Sequence, residues 1–427
     1  MDDLNLLDRK NIWHPFTSLQ AENDPLLITE AKGVYLHTSD GRKILDAISS
    51  WWVNLHGHAN ASIAQAIADQ AKKLEQVIFA GFTHPPAIRL SENLLSILPS
   101  NQQKIFFSDN GSTAVEVALK MTFQYWHNRG IAKPKVIAIK GAYHGDTFGS
   151  MSVAERGLFT KPFNPYLFET SFIDFPTSGN EEAVLRQFEH MVSGNDVAAF
   201  IFEPLIQAAG GMRMYPAHIL DKLISSAHKH DVVCIADEVF TGFGRTGKLF
   251  ASDYLEEKPD ILTLSKGITG GFLPLGVTTC SEKIIAPFDS PELTRTFFHG
   301  HSYTANPLAC AAANASFDLL MDTACQERIN AISRQHSDFA RSLKNHPQVH
   351  DVRTLGTILA IELKSDDESA YENPLRKKIY PWFLEKNILL RPLGNVFYLL
   401  PPYVISDEEL LNVYGAIQAF LNALKNN

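Results

Sequence analysis

Lys266 follows a short apolar run, Ile261-Leu262-Thr263-Leu264, and Asp237 closes another, Val232-Val233-Cys234-Ile235-Ala236. Both runs read as buried strands. An amine and an acid therefore stand at the ends of two expected strands. A lysine so placed could form a Schiff base with a carbonyl cofactor. An acid beside it could keep a pyridine nitrogen protonated. That pairing is the chemistry of pyridoxal phosphate. The same residues also read as a surface lysine and a helix cap, and spacing alone leaves both readings open.

Other stretches carry candidate chemistry. Ser108-Asp109-Asn110-Gly111-Ser112-Thr113 joins the run Lys104–Phe107 to a helical pattern from Ala114. A strand, a small polar turn and a helix start together suit a phosphate group. The competing reading is a simple cap by Ser112. Gly141-Ala142-Tyr143-His144-Gly145-Asp146-Thr147 follows the run Val136–Ile139. Tyr143 could lie flat on a planar cofactor there, with Asp146 near it, or be a buried hydrogen-bonding residue. Adjacent Trp51 and Trp52 cannot both enter one strand-packed core, so one can wall a pocket, unless both pack in the core around a bend. Arg391 closes an expected strand and could clamp a carboxylate, or make a structural ion pair. Ser302 and Thr304 are second phosphate-donor candidates, and Trp13 to Thr17 reads as a packing arm or a pocket wall. His56-x-His58 is too weak a pattern to argue for a metal, and none is expected.

The elements that must position these groups follow the same pattern. Strand and helix signals alternate from 104 to 264, which requires a mainly parallel sheet with helices on both faces. The candidates mostly follow strands, so they should meet at one sheet edge. A hairpin is expected around Ser39-Asp40-Gly41-Arg42, and helices over 61–77, 87–98, 216–230 and 307–320. Residues 1–30 read as irregular with short helical pieces, and 150–195 as loops and helix. The expected organisation is an N-terminal segment 1–59, a large body 60–324 and a small α+β region 325–427.

Composition limits the alternatives. The 427 residues carry a net charge of −9, which gives no reason to expect nucleic acid. No apolar run approaches a membrane span. The four cysteines are widely spaced and form no CxxC pair, which fits a reducing compartment. The polar start of the chain shows no signal peptide, and a cytoplasmic setting is expected.

The chain resembles the class III, fold type I pyridoxal-phosphate aminotransferases over nearly its whole length. Asp237-Glu238 through Thr241-Gly242-Phe243-Gly244-Arg245-Thr246-Gly247, with Lys266, carries the class. Trp13-His14-Pro15, Ser49-Ser50-Trp51-Trp52, Tyr143-His144-Gly145-Asp146 and Arg391-Pro392-x-Gly394 point to the branch that acts in biotin synthesis. The resemblance implies a homodimer with shared sites, acting on an amino donor and a keto acid. It implies that Lys266 binds the cofactor and shuttles a proton, and that Asp237 pairs with its ring nitrogen. Tyr143 would stack on the ring. Gly111, Ser112 and Ser302 would hold the phosphate, Ser302 from the other subunit. Trp51, Trp52, Gly300 and Arg391 would shape the substrate site, with Arg245 and Asp146 orienting substrate. Phe16 departs from the family's tyrosine. The Trp51-Trp52 pair favours S-adenosylmethionine as donor, whereas Phe16 and the 300–304 loop favour lysine. An ornithine or 4-aminobutyrate enzyme and a non-catalytic scaffold are the remaining alternatives.

Overall fold

The order of apolar runs becomes three main sheets in the computed structural model, which describes residues 2–20, 24–365 and 373–424. β1 (Ile28–Lys32), β2 (Tyr35–Thr38) and β3 (Lys43–Asp46) form an antiparallel meander. The large sheet begins with β4 (Gln102–Ser108), β5 (Lys135–Ile139), β6 (Ser171–Ile173) and β7 (Val197–Phe202). A short ladder of β8 (Ile206–Gln207) and β9 (Arg213–Met214) intervenes. β10 (Val233–Asp237), β11 (Ile261–Leu264) and β12 (Gly276–Ser281) complete the large sheet. Beyond it come β13 (Val349–Leu355), β14 (Ile358–Leu363), β15 (Ile388–Leu389) and β16 (Val396–Leu399).

The large sheet has the order β4-β12-β11-β10-β7-β5-β6. β6, β5, β7, β10 and β11 are parallel, while β12 runs against both β11 and β4. β4 therefore points the same way as the parallel set. The strands that precede the candidate residues thus all end at one edge. β7 and β10 are buried at every residue, as expected for strands covered on both faces. Phe200 and Phe202 join one apolar core while Ile201 joins the other, so the strand period of two feeds both faces.

Helices cover the faces where the 3.6-residue period predicts them. The helix Gly111–Asn128 starts at Asn110, whose side chain accepts the Thr113 amide in a capping box. Ala217–Lys229 and Pro307–Met321 lie within a residue of the expected ranges. Three differences are local. The helix expected over 61–77 ends at Ala71, where the Lys73 and Leu74 amides turn back to the Gln70 carbonyl. Residues 1–30 include a helix, Asp2–Asn11, and β1, whose mostly exposed residues give no alternating pattern. β6 lies within 150–195 as an edge strand of only three residues.

Two further pairings matter for the site. β15 joins β3 in parallel, so a C-terminal strand completes the N-terminal meander. β13, β14 and β16 form a separate antiparallel sheet. No helix among the described residues is long and apolar enough to cross a membrane.

Candidate active site

The carboxyl edge of the large sheet opens into a cavity of about 680 Å³. Its lining includes Trp51, Trp52, Gly111, Ser112, Tyr143, Asp146, Glu203, Asp237 and Lys266. Residues more than 200 positions apart in sequence therefore share one space, as the strand-end argument requires.

Lys266 stands just after β11 with φ of +42°, a left-handed conformation rare for a side chain with Cβ. Strain of this kind gathers at functional sites. Its amine makes no hydrogen bond or ion pair among the described residues. It lies 4.9 Å from the centre of the Trp52 ring and 5.7 Å from that of Phe240. Burial lowers its pKa from the ordinary lysine value, opposed by the charges of Asp237 and Glu203. A lysine so placed is more readily the neutral nucleophile.

Asp237 is buried, and each of its oxygens is used. Oδ2 lies 2.7 Å from His144 Nδ1, and Oδ1 accepts from the Val239 amide and the Thr263 hydroxyl, both at 3.1 Å. His144 is itself buried, with Nε2 unpartnered among the described residues. The carboxylate is held by these three donors rather than free to turn.

The phosphate-type cradle is made of glycines and first-turn amides. With Asn110 occupied by the Thr113 amide, the Gly111 and Ser112 amides are first-turn donors without an intrahelical acceptor. Ser112 Oγ accepts from the Asp146 amide at 3.1 Å, which draws the two loops together. Gly145 has φ of +129°, and a Cβ there would fall 2.1 Å from Ser112 Oγ. A Cβ on Gly111 would fall 2.7 Å from Val239 Cγ1. The cradle therefore has room only for backbone at these points. Tyr143 borders it, half-exposed. Burial and then the Asp146 charge push its hydroxyl pKa up, so it stays protonated.

Glu203, at the end of β7, was given no role by its sequence position, although it obeys the same strand-end rule. Its Oε1 accepts the Tyr143 amide at 3.1 Å and its Oε2 the Ala208 amide at 3.0 Å. It thus ties the aromatic loop to the loop after β8. Burial raises its pKa to about 7, with the Asp237 charge adding to the rise and His144 opposing it. The folded state then holds this proton more tightly than the unfolded chain. The stability it lends is full below the ordinary value of 4.5 and is lost as pH rises toward 7. Glu203→Gln is expected to flatten that decline. A pH series of thermal midpoints should show the wild type losing on the order of 3 kcal/mol over this window relative to the variant.

Not every expected residue reaches the cavity. Arg245, expected to orient substrate, is fully buried; its Nη1 donates to the Pro401 carbonyl and its Nη2 to the Asn54 carbonyl, at 3.0 and 3.1 Å. It laces backbone segments behind the Trp51-Trp52 turn. Gly300 and Ser302 lie on an exposed loop away from this chain's own cavity, where the Ser302 carbonyl accepts from Gln76. Thr304 bonds within the same loop, to His301. Phe16 and Arg391 stand just beyond the cavity, both against Trp51, with Phe16 5.7 Å from its ring and Arg391 Cζ 4.7 Å from it. His58 bonds to Asp46 and His56 to Ser316, so the two histidines serve separate contacts. The group His228, Cys234 and Asp260 is closed by Lys283, 3.3 Å from Asp260.

A mainly parallel sheet with a lysine and an aspartate facing one cavity at its carboxyl edge is the architecture of fold type I pyridoxal-phosphate enzymes. A class-III aminotransferase family model matches residues 17–421, and the chain belongs to that family. It is 48% identical over 422 residues to an adenosylmethionine-8-amino-7-oxononanoate aminotransferase of Synechococcus elongatus, covering 97% of this chain and 99% of that protein. The crystal structure of the enzyme of that name from Methanocaldococcus jannaschii superposes with a TM-score of 0.93 at 36% identity, over 100% of this chain and 99% of that one. A PLP-bound amine transaminase from an uncultivated Pseudomonas species superposes with a TM-score of 0.90 at 30% identity, over 97% and 98%.

Proposed function

We propose that this chain transfers an amino group from S-adenosylmethionine to 8-amino-7-oxononanoate, giving 7,8-diaminononanoate in biotin synthesis, with pyridoxal phosphate as cofactor. What carries the reading is the near-full-length likeness to relatives of that name. The cavity agrees with it chemically. Residues 60–324 would hold the cofactor, with 1–59 and 325–427 bordering the substrate, in a cytoplasmic homodimer.

The donor set fits the cofactor. Pyridoxal phosphate, when bound, supplies a carbonyl that condenses with amines and a ring that accepts an electron pair. Lys266 would hold it and then move a proton at the substrate carbon, for which an unpaired buried amine is suited. Asp237, fixed by His144 and Thr263, would hold a proton at the ring nitrogen. Gly111 and Ser112 would bind the phosphate through their amides. Tyr143 would orient the ring, and Asp146 would fix that hydroxyl. Gly300 and Ser302, exposed on one chain, would complete the site of the other. Arg391 makes no ion pair among the described residues, so its guanidinium is available for the carboxylate of the keto acid. Trp51 and Trp52 would give an indole wall for a sulfonium and would help exclude water.

Lysine is the rival donor, favoured by Phe16, whose ring meets Trp51 without a hydroxyl. Mixing the yellow holoenzyme with each donor alone separates the two. S-adenosylmethionine is expected to bleach the colour, and lysine to leave it. Rapid bleaching by lysine alone would overturn the donor assignment. In the same assay, Arg391→Lys keeps the charge but loses the planar fork. The acceptor half-reaction should fall about 10- to 100-fold, and the donor half-reaction much less. Equal losses would give Arg391 a structural role instead.

A further inference from the structure

We infer that Asp46, which lies outside the cavity, is the positioning residue that sets the Trp51-Trp52 wall and with it the reach to Arg391. This rests on the proposal above that these three residues border the substrate.

The wall sits on an unusual turn. Ser49, Ser50 and Trp52 have φ of 54°, 59° and 69°. Three residues with Cβ in the left-handed region within four positions do not hold this shape by local preference. The turn is instead tied down from outside. The Asp46 side chain is fully buried at the end of β3. Its Oδ1 accepts the Ile48 amide at 3.1 Å. Its Oδ2 accepts the Ser50 amide at 2.6 Å, the Ser50 hydroxyl at 3.4 Å and His58 Nε2 at 2.9 Å. His58 Nδ1 faces the Asn54 side-chain amide at 3.2 Å. That amide donates to Nδ1, which leaves Nε2 to donate to Asp46. One carboxylate therefore collects donors from before, within and after the turn.

The same turn is tied to the segments on either side of Arg391. The Ala47 amide donates to the Leu389 carbonyl at 3.3 Å, two residues from Arg391. The Ser49 hydroxyl donates to the Leu400 carbonyl at 2.7 Å, and Trp52 Nε1 to the Tyr398 hydroxyl at 2.8 Å. The product is two indoles with different tasks. Trp52 lies against the Lys266 amine and Trp51 under the Arg391 guanidinium. Slackening at Asp46 would shift both together.

Asp46→Asn tests this in the full-length holoenzyme. The amide's nitrogen would face either the Ile48 amide or the Ser50 and His58 donors together, so either way an accepted bond is replaced by opposed donors. The variant should stay yellow. Its KM for the keto acid should rise at least tenfold while kcat stays within threefold. Its near-UV circular dichroism should lose amplitude as the indoles loosen. Arg391→Ala should raise KM on its own but add less than twofold in the Asp46→Asn background, since the wall is already displaced. His58→Gln should act in the same direction and more weakly; if Asp46→Asn does not fold, this variant decides. An unchanged near-UV spectrum with unchanged KM overturns the inference, as do losses in KM and kcat that multiply fully with Arg391→Ala. A wild type with colour but no transamination would defeat the proposed function, while the near-UV comparison would still decide the role of Asp46.

Discussion

Lys266→Ala is expected to give a folded, colourless protein whose transamination falls by on the order of 10⁴-fold. The Lys266 amine has no hydrogen bond or ion pair among the described residues, so its loss orphans no partner. Its pKa is lowered by burial, which means that the fold holds the charged form at a cost. Removing it should leave the thermal midpoint unchanged or raise it. The left-handed backbone at this position strains alanine no more than lysine. Stability and activity should therefore separate cleanly. Titration with pyridoxal phosphate, followed by visible absorbance and far-UV circular dichroism, checks both. A variant that keeps both colour and turnover would remove Lys266 from the chemistry. A variant that unfolds would show that the lysine is needed for the sheet edge itself.

The separation is possible because the site was legible in one way and hidden in another. The short, mostly apolar runs of β10 and β11 show their buried nature, and they lead to Asp237 and Lys266 respectively. That is why Asp237 and Lys266 could be placed on one edge without coordinates. Edge strands such as β1 and β6 were less visible because they bury too little to impose an alternating pattern. Glu203 obeys the strand-end rule but announces no chemistry, since its work is to accept two backbone amides that no sequence pattern displays. Arg245 lies in the family's glycine-rich motif, and its Nη1 and Nη2 donate to two distant carbonyls, at Pro401 and Asn54. Only the folded path of the chain reveals those partners. Gly300 and Ser302 face solvent in one chain; the resemblance implies a substrate-site role for Gly300 and a phosphate contact across subunits for Ser302.

Asp237→Asn should lower kcat roughly 10²- to 10³-fold or more, through a change of one atom. The three donors that hold the carboxylate, from His144, Val239 and Thr263, all need acceptors. An amide offers one acceptor oxygen and one donor nitrogen. Turned one way, its nitrogen meets His144 Nδ1; turned the other, it meets the Val239 amide and the Thr263 hydroxyl. Val239 also borders the cradle, since a Cβ on Gly111 would fall 2.7 Å from its Cγ1. Displacement at Asp237 therefore reaches both ends of the proposed cofactor site. Without a charge there, the ring nitrogen would also lose the group that holds its proton. Thr263→Val removes one of the donors and keeps the charge, so it should cost only a few-fold. Comparing the two variants for kcat, for affinity toward pyridoxal phosphate and for thermal midpoint distinguishes the explanations. If the charge matters, Asp237→Asn loses turnover far beyond its loss of cofactor affinity. If only the scaffold matters, turnover at saturating cofactor should recover in both variants, and Asp237 would then be a structural acceptor for His144.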